Sequence, residues 1–228
     1  GIAGIILPSE HLEMVSAEME AFKRVHLEYD IDDPPILHRE EIVSASHAFH
    51  VLEDPARRAA FNDGLVRLIR GTPFRAVCVV IDKTTHGART YRRLKHPYHY
   101  GVLAMLERYC GWLDRIHARG DVVAESRGGT QDRLLKVVFR GIYAKGDGYL
   151  SGQVCQKTLT SREIKLKPKE ANIAGLQLAD ILAHPMTRDV LVAYKRLGAI
   201  EGGFAGRIIE AVSDTLRMSA ISPLSKSF

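Results

Sequence analysis

Three carboxylates occupy positions where an acid has a specific job. Asp82 closes the apolar run 74–81, Glu125 closes the run 121–124, and Asp180 lies within the apolar stretch 173–183. Nearly continuous β-branched and aliphatic runs read as strands covered on both faces, and a stretch apolar on several helical faces reads as a buried helix. Acids at the carboxyl ends of strands sit where open α/β sheets gather their sites. An ionised carboxylate inside a buried helix needs a cation, a metal or several donors to offset its desolvation. Mg²⁺ and Mn²⁺ take oxygen ligands of this kind, and two such ions roughly 3.5–4 Å apart can hold the attacking and leaving oxygens of a phosphodiester hydrolysis. Each acid taken singly also has a plainer use, as a turn cap or the partner of an arginine. The residues alone leave both uses open.

The elements that must position these acids follow from periodicity and caps. Residues 2–7 read as a strand ending at Pro8, after which Ser9 caps an amphipathic helix to about Glu28, with Glu10 and Glu13 in its first turn. Residues 30–35 form a turn-rich break. Asp54 and Pro55 suit the N-cap and first position of a helix that Gly71 closes. Residues 74–81 are a buried strand, 84–97 a polar basic loop, and Tyr98 to about Ala118 a long helix stopped near Gly120. A short buried strand at 121–124 precedes a helix capped by Thr130 and ending near Gly146. Residues 149–155 and 163–166 alternate as a pair of strands. Asn172 caps the helix that carries Asp180, Pro185 ends it, and further helices from Thr187 and Gly203 fill 187–228. Strands alternating with helices, with no repeat or linker, predict one α/β domain over residues 1–228.

Composition narrows the function class. A chain of 228 residues can bury a sizeable core. It holds no run of about 18 apolar residues, so no membrane span or membrane partner is expected. Residues 1–7 lack the basic flank and cleavage site of a signal peptide. The start inside a strand, without Met, predicts that residues precede Gly1. Cys78, Cys110 and Cys155 are odd in number and widely spaced, which fits unpaired thiols in a cytoplasmic protein and excludes a cysteine zinc site. A net charge of +5 and a pI near 9.1 favour an acidic partner.

The motifs GIILP, LHREEI, VVIDK, VVAESRGG and KEANIAGLQLADILAHP occur in this order from Gly1 to about Pro185. In that order they resemble the domain of unknown function 3800 family, whose members are similar to ribonuclease H and Holliday-junction resolvase folds and occur in bacteria beside mobile or defence elements. The resemblance implies a ribonuclease H-like mixed sheet flanked by helices and a metal-dependent nuclease site. Motif by motif it points to Asp82 and Lys83, to Glu125 and Arg127, and to Asp180. Lys169 matches a further family position, and His38, Glu41 and Gln177 are additional candidates. The implied cofactor is Mg or Mn, with Asp82, Glu125 and Asp180 as ligands of a two-metal site. The family's opening Asp-Glu-Ser motif is not in this chain, which starts at the counterpart of the second strand.

Basic residues supply a second pattern. Arg89, Arg92, Arg93 and Lys95 cluster beside Tyr91, Tyr98 and Tyr100, a composition that suits phosphate contact with base stacking. Arg162, Lys165, Lys167 and Lys169 make a second, alternating basic strand, so one face of it suits a nucleic-acid groove. His38 and Glu41 are three apart and share a helical face; His184 lies one turn beyond Asp180 and is placed to orient it. A P-loop and a GxGxxG are absent. The expectation is a nuclease acting on DNA or RNA, possible as a homo-oligomer, with no operon partner identifiable. The competing expectations are a non-catalytic nucleic-acid-binding or protein-interaction subunit, and a glycosidase using Glu125 and Asp82.

Overall fold

The run Arg75–Val80 behaves as its composition demands: past Arg75 every residue is buried, so the strand is covered on both faces. In the computed structural model, residues 1–82, 97–147, 149–198, 203–213 and 218–221 are described. The strand Arg75–Val80 (β2) is the middle of a three-stranded sheet, between β1 (Ile2–Ile6) and β5 (Met218–Ile221). A second sheet has two parallel strands, β3 (Val123–Glu125) and β4 (Lys165–Lys167). The helices are α1 (Leu12–His26), α2 (Arg39–Ser44), α3 (Pro55–Gly71), α4 (Pro97–Arg115), α5 (Gly129–Lys145), α6 (Gly152–Thr158), α7 (Ala174–Ala193) and α8 (Gly203–Ser213). The protein is mixed α/β and mostly helical, with two small sheets among the described residues.

The chain divides into two compact units, each discontinuous in sequence. Unit 1 comprises Gly1–Ile2, Val79–Ala171 and Ala220–Phe228; unit 2 comprises Ala3–Cys78 and Asn172–Ser219. In unit 2, α3 packs against α1 and α8, and α7 packs against α8 and α1. Phe22, Phe49 and Phe61 form an aromatic cluster, with Phe22 and Phe61 centroids 5.0 Å apart. In unit 1, α4, α5 and α6 enclose Leu103, Leu106, Cys110, Phe139, Cys155 and Leu159.

Several expected elements change. Residues 149–155 do not form a strand: Asp147 Oδ1 accepts the Tyr149 and Leu150 N–H groups, and Ser151 caps α6 by accepting the Val154 N–H at 3.2 Å. The buried residues Gly152, Cys155 and Thr158 recur every three positions, a helical period hidden within apparent alternation. Pro185 does not end its helix. It lies inside α7 and is buried, and burial of Met186 and Val190 beyond it offsets the hydrogen bond a proline forfeits. Ser9 opens a 3-10 turn before α1 without a side-chain cap, and α5 begins at Gly129 rather than being capped by Thr130. Strand β3 alternates exposed and half-buried instead of being buried. Thr187 belongs to α7, and β5 follows α8 where only helix was expected. Asp54 caps α3 as its sequence requires, accepting the Arg57 N–H at 2.8 Å.

Candidate functional site

Unit 2 gathers four of the sequence candidates. Gln177 and Asp180 stand one turn apart on α7 and meet the segment leading into α2. Gln177 is 3% exposed, and its Oε1 accepts the Leu37 N–H at 2.7 Å. Asp180 Oδ2 accepts the Arg39 N–H at 2.8 Å. Arg39 is the first residue of α2, whose preceding residue His38 supplies no side-chain cap, so Asp180 caps that short helix from 141 positions away. The His38 ring lies between two acids, with Nδ1 3.3 Å from Glu41 Oε1 and Nε2 3.9 Å from Asp180 Oδ2. The closer contact lacks hydrogen-bond geometry: Nδ1 is buried and makes no hydrogen bond. His38, Glu41 and Asp180, drawn from two motifs distant in sequence, are neighbours in space.

Asp180 is not the buried acid its surroundings predict. Its side chain is 41% exposed, whereas Gln177 on the preceding turn is the enclosed polar residue. The carboxylate therefore escapes most of the desolvation that burial would impose. His184 makes no hydrogen bond or ion pair with Asp180 among the described residues. Burial, then the charges of Arg39 and Arg188, hold its imidazole below the usual range.

Behind this cluster is a polar network that sequence reasoning missed. Gln177 Nε2 donates to Asn172 Oδ1 at 2.8 Å. Lys23 Nζ donates to the same oxygen at 2.9 Å and to Glu20 Oε1 at 2.7 Å, and Asn172 Nδ2 donates to Glu20 Oε1 at 3.0 Å. Asn172 adopts a left-handed backbone, φ 50°, and works here rather than as the N-cap of α7. Lys23 is fully buried; burial pulls its ammonium below the usual lysine range while Glu20 opposes the shift. A signal existed, since Lys23 falls on the stripe of α1 that carries Val15, Met19 and Phe22.

Unit 1 places the other candidates. In the β3–β4 pair, Val123 faces Lys165 and Glu125 faces Lys167 in register. Ala124 and Leu166 turn toward the core, leaving Val123, Glu125, Lys165 and Lys167 exposed. Lys165 Nζ is 2.5 Å from Asp121 Oδ2, and Thr160 Oγ1 also donates to Asp121. These bonds, that from Lys165 foremost, hold the Asp121 carboxyl below the usual carboxylate range. The Ser126 N–H donates to the Lys167 carbonyl at 2.8 Å, carrying the pairing one step past β3. The Arg127 guanidinium then lies over the Tyr98 ring, 4.7 Å from its centroid. Asp132 fixes this loop by accepting from Ser126 Oγ at 2.5 Å and from the Arg127 N–H at 2.8 Å, which lowers its own carboxyl pKa. Asp82 is exposed just after β2, and Lys169 is half-buried in a 3-10 turn, Lys169–Ala171. Lys83, Arg89, Arg92, Arg93 and Lys95 lie outside the described residues.

Asp82 and Glu125 do not end strands of one sheet, because β2 and β3 belong to separate sheets. The hard carboxylate oxygens of Asp82, Glu125 and Asp180 match Mg²⁺ or Mn²⁺ in donor type. Among the described residues, no three His, Cys, Asp or Glu side chains form a group disposed to hold a metal ion. No described helix is long and apolar enough to cross a membrane.

Dividing the sequence by unit exposes a charge asymmetry. Unit 1 contains 19 Lys and Arg against 9 Asp and Glu; unit 2 contains 13 against 18. The modest excess of the whole chain conceals a strongly basic unit and an acidic one. Comparisons with protein-family models, curated proteins and solved structures find no match to this chain.

Proposed function

We propose that the protein is a metal-dependent nuclease that engages nucleic acid through its basic unit and hydrolyses phosphodiesters. The observation that carries this reading is the segregation of charge. A unit with about twice as many cations as anions attracts a polyanion by counterion release, and it contains the sequence's proposed phosphate-contacting residues Lys165 and Lys167. The hydrolytic half of the proposal rests on the order of the sequence motifs and on the oxygen-donor character of Asp82, Glu125 and Asp180, the proposed ligands of Mg²⁺ or Mn²⁺. When bound, such an ion lowers the pKa of a water and offsets charge developing on the phosphoryl oxygens. The protein's own groups have simpler tasks. The Arg39 N–H orients the Asp180 carboxylate through one oxygen. Lys83, Arg127 and Lys169 are proposed to neutralise phosphate charge. A mobile-element or phage-defence setting accompanies the proposal.

Asp180→Asn is the direct test. The asparagine carbonyl can still accept the Arg39 N–H, so the variant should fold, while Mn²⁺-dependent cleavage should fall by at least about 100-fold. Undiminished cleavage in the folded variant sinks the assignment. Thermal stability should rise with Mg²⁺ or Mn²⁺ in the wild type, by an increment set by ion concentration over Kd.

A second reading is favoured by a specific observation. One Asp180 oxygen is committed to capping α2, so that acid already has a structural task. A non-catalytic nucleic-acid-binding or interaction subunit would need nothing more. It predicts binding without cleavage and a melting temperature indifferent to divalent ions.

A further inference from the structure

The Tyr98–Arg127 pair has a geometry that the charge argument does not require. Phosphate neutralisation needs a cation at the surface; it does not need a guanidinium held over a phenol ring. Arg127 is exposed, Tyr98 is half-buried against the core of unit 1, and the His99 ring stands 6.1 Å from the Tyr98 ring. The loop bearing Arg127 is held at two points by Asp132, so the guanidinium is presented from a fixed backbone. Gly128 and Gly129 follow with positive φ of 79° and 44°, and the space where their side chains would stand is open. Beside them, the outward face of β3–β4 carries Lys167, which makes no ion pair among the described residues. An aromatic–guanidinium stack next to a free cation on a fixed edge is what an unpaired base and its phosphate need together.

We infer that Tyr98 and Arg127 form a base-stacking subsite, and that the partner of unit 1 is single-stranded nucleic acid. This rests on the nucleic-acid reading above and narrows it. The Arg127 guanidinium, already placed over the Tyr98 ring, offers its outer face to an extruded base, while Lys167 meets the neighbouring phosphate. Bases paired within a duplex are stacked on each other and present no free face, so a duplex forgoes the stacking contribution and keeps only the phosphate contacts. Every base has a π-face, so the subsite tolerates sequence.

The test is fluorescence anisotropy of the full chain with three labelled probes of matched length: oligo-dT, an abasic oligonucleotide, and a duplex. Measurements are made without divalent ions so that binding is read apart from cleavage. The wild type should bind oligo-dT roughly 5- to 150-fold more tightly than the abasic strand, the range expected for one base stack. Arg127→Lys keeps the charge and loses the plane; it should abolish that preference. Tyr98→Leu, which retains apolar packing, should do the same. Lys167→Gln should weaken both single strands alike and reduce the salt slope by about 0.7. Equal affinity for all three probes, or a preference that survives Arg127→Lys, overturns the stacking subsite while nucleic-acid binding stands. No binding to any probe overturns the nucleic-acid reading and the subsite together.

Discussion

The two units use their charged and polar residues in opposite ways. In unit 2, the polar residues behind Asp180 are tied inward: Lys23 is wholly buried, Gln177 nearly so, and both join a network that ends on the backbone of residue 37. In unit 1, the corresponding candidates lie at the surface. Glu125 and Lys167 are exposed cross-strand neighbours, and Arg127 is held through its ring partner and its backbone. One region spends polar side chains on architecture and the other displays them. A motif residue is therefore not one physical category. Gln177 and Asp180 belong to the same short motif, yet one is core and the other half-exposed.

The largest effect should come from breaking the inward network. Gln177→Leu leaves the buried Leu37 N–H without its acceptor and removes one of the two donors to Asn172 Oδ1, and urea denaturation should show a loss of about 2–3 kcal/mol. A loss under about 0.5 kcal/mol would erase the distinction between the units. The next effect lies in unit 1, in an acid the site does not use. Burial, followed by the neighbouring charge of Asp147, pushes the Glu107 carboxyl up to about 7. Its folded-state pKa lies above the unfolded value of 4.5, so the folded protein holds this proton more tightly. The contribution is fully present below about pH 4.5, declines as pH rises toward 7 and is flat above. After allowance for solvent screening it amounts to about 1–2 kcal/mol. Glu107→Gln should flatten that part of the stability–pH curve, followed by thermal melts at fixed ionic strength.

Smaller effects sharpen the contrast. Asp180→Asn should cost less than about 1 kcal/mol in denaturation, since the α2 cap survives with a neutral acceptor. A loss above about 3 kcal/mol would make Asp180 as architectural as Gln177. Smallest of all, Lys167→Gln should leave the melting temperature unchanged, because among the described residues its ammonium makes no ion pair.

Local signals were legible wherever one short segment decided the outcome. The Asp54-Pro55 cap, the fully covered β2 and the amphipathic α1 all follow from neighbours within a few residues. Segments failed where a side chain reached outside its own element. Residues 149–155 alternate like a strand, but Asp147 and Ser151 capture their N–H groups and wind them into a helix. Pro185 reads as a stop, yet the apolar residues beyond it gain more from burial than the lost hydrogen bond costs. The candidate site divides likewise: His38, Glu41, Gln177 and Asp180 were selected by motif, whereas the network behind Gln177 uses Lys23 and Glu20, which no motif singled out, and Asn172, which reads in the sequence as a helix cap.

By itself the sequence determined the residue types available for chemistry, the basic balance of the chain, the absence of any run of about 18 apolar residues, and the helical face on which Gln177 and Asp180 fall together. Those are local or additive properties, summed along the chain without reference to distant contacts. Tertiary structure alone decided which of those two residues is buried, that Asp180 caps a helix 141 positions away, that Arg127 lies on Tyr98, and that the charge divides into a basic unit and an acidic one. Each of these depends on segments remote in sequence becoming neighbours, and burial, long-range capping and stacking exist only once that closure has occurred.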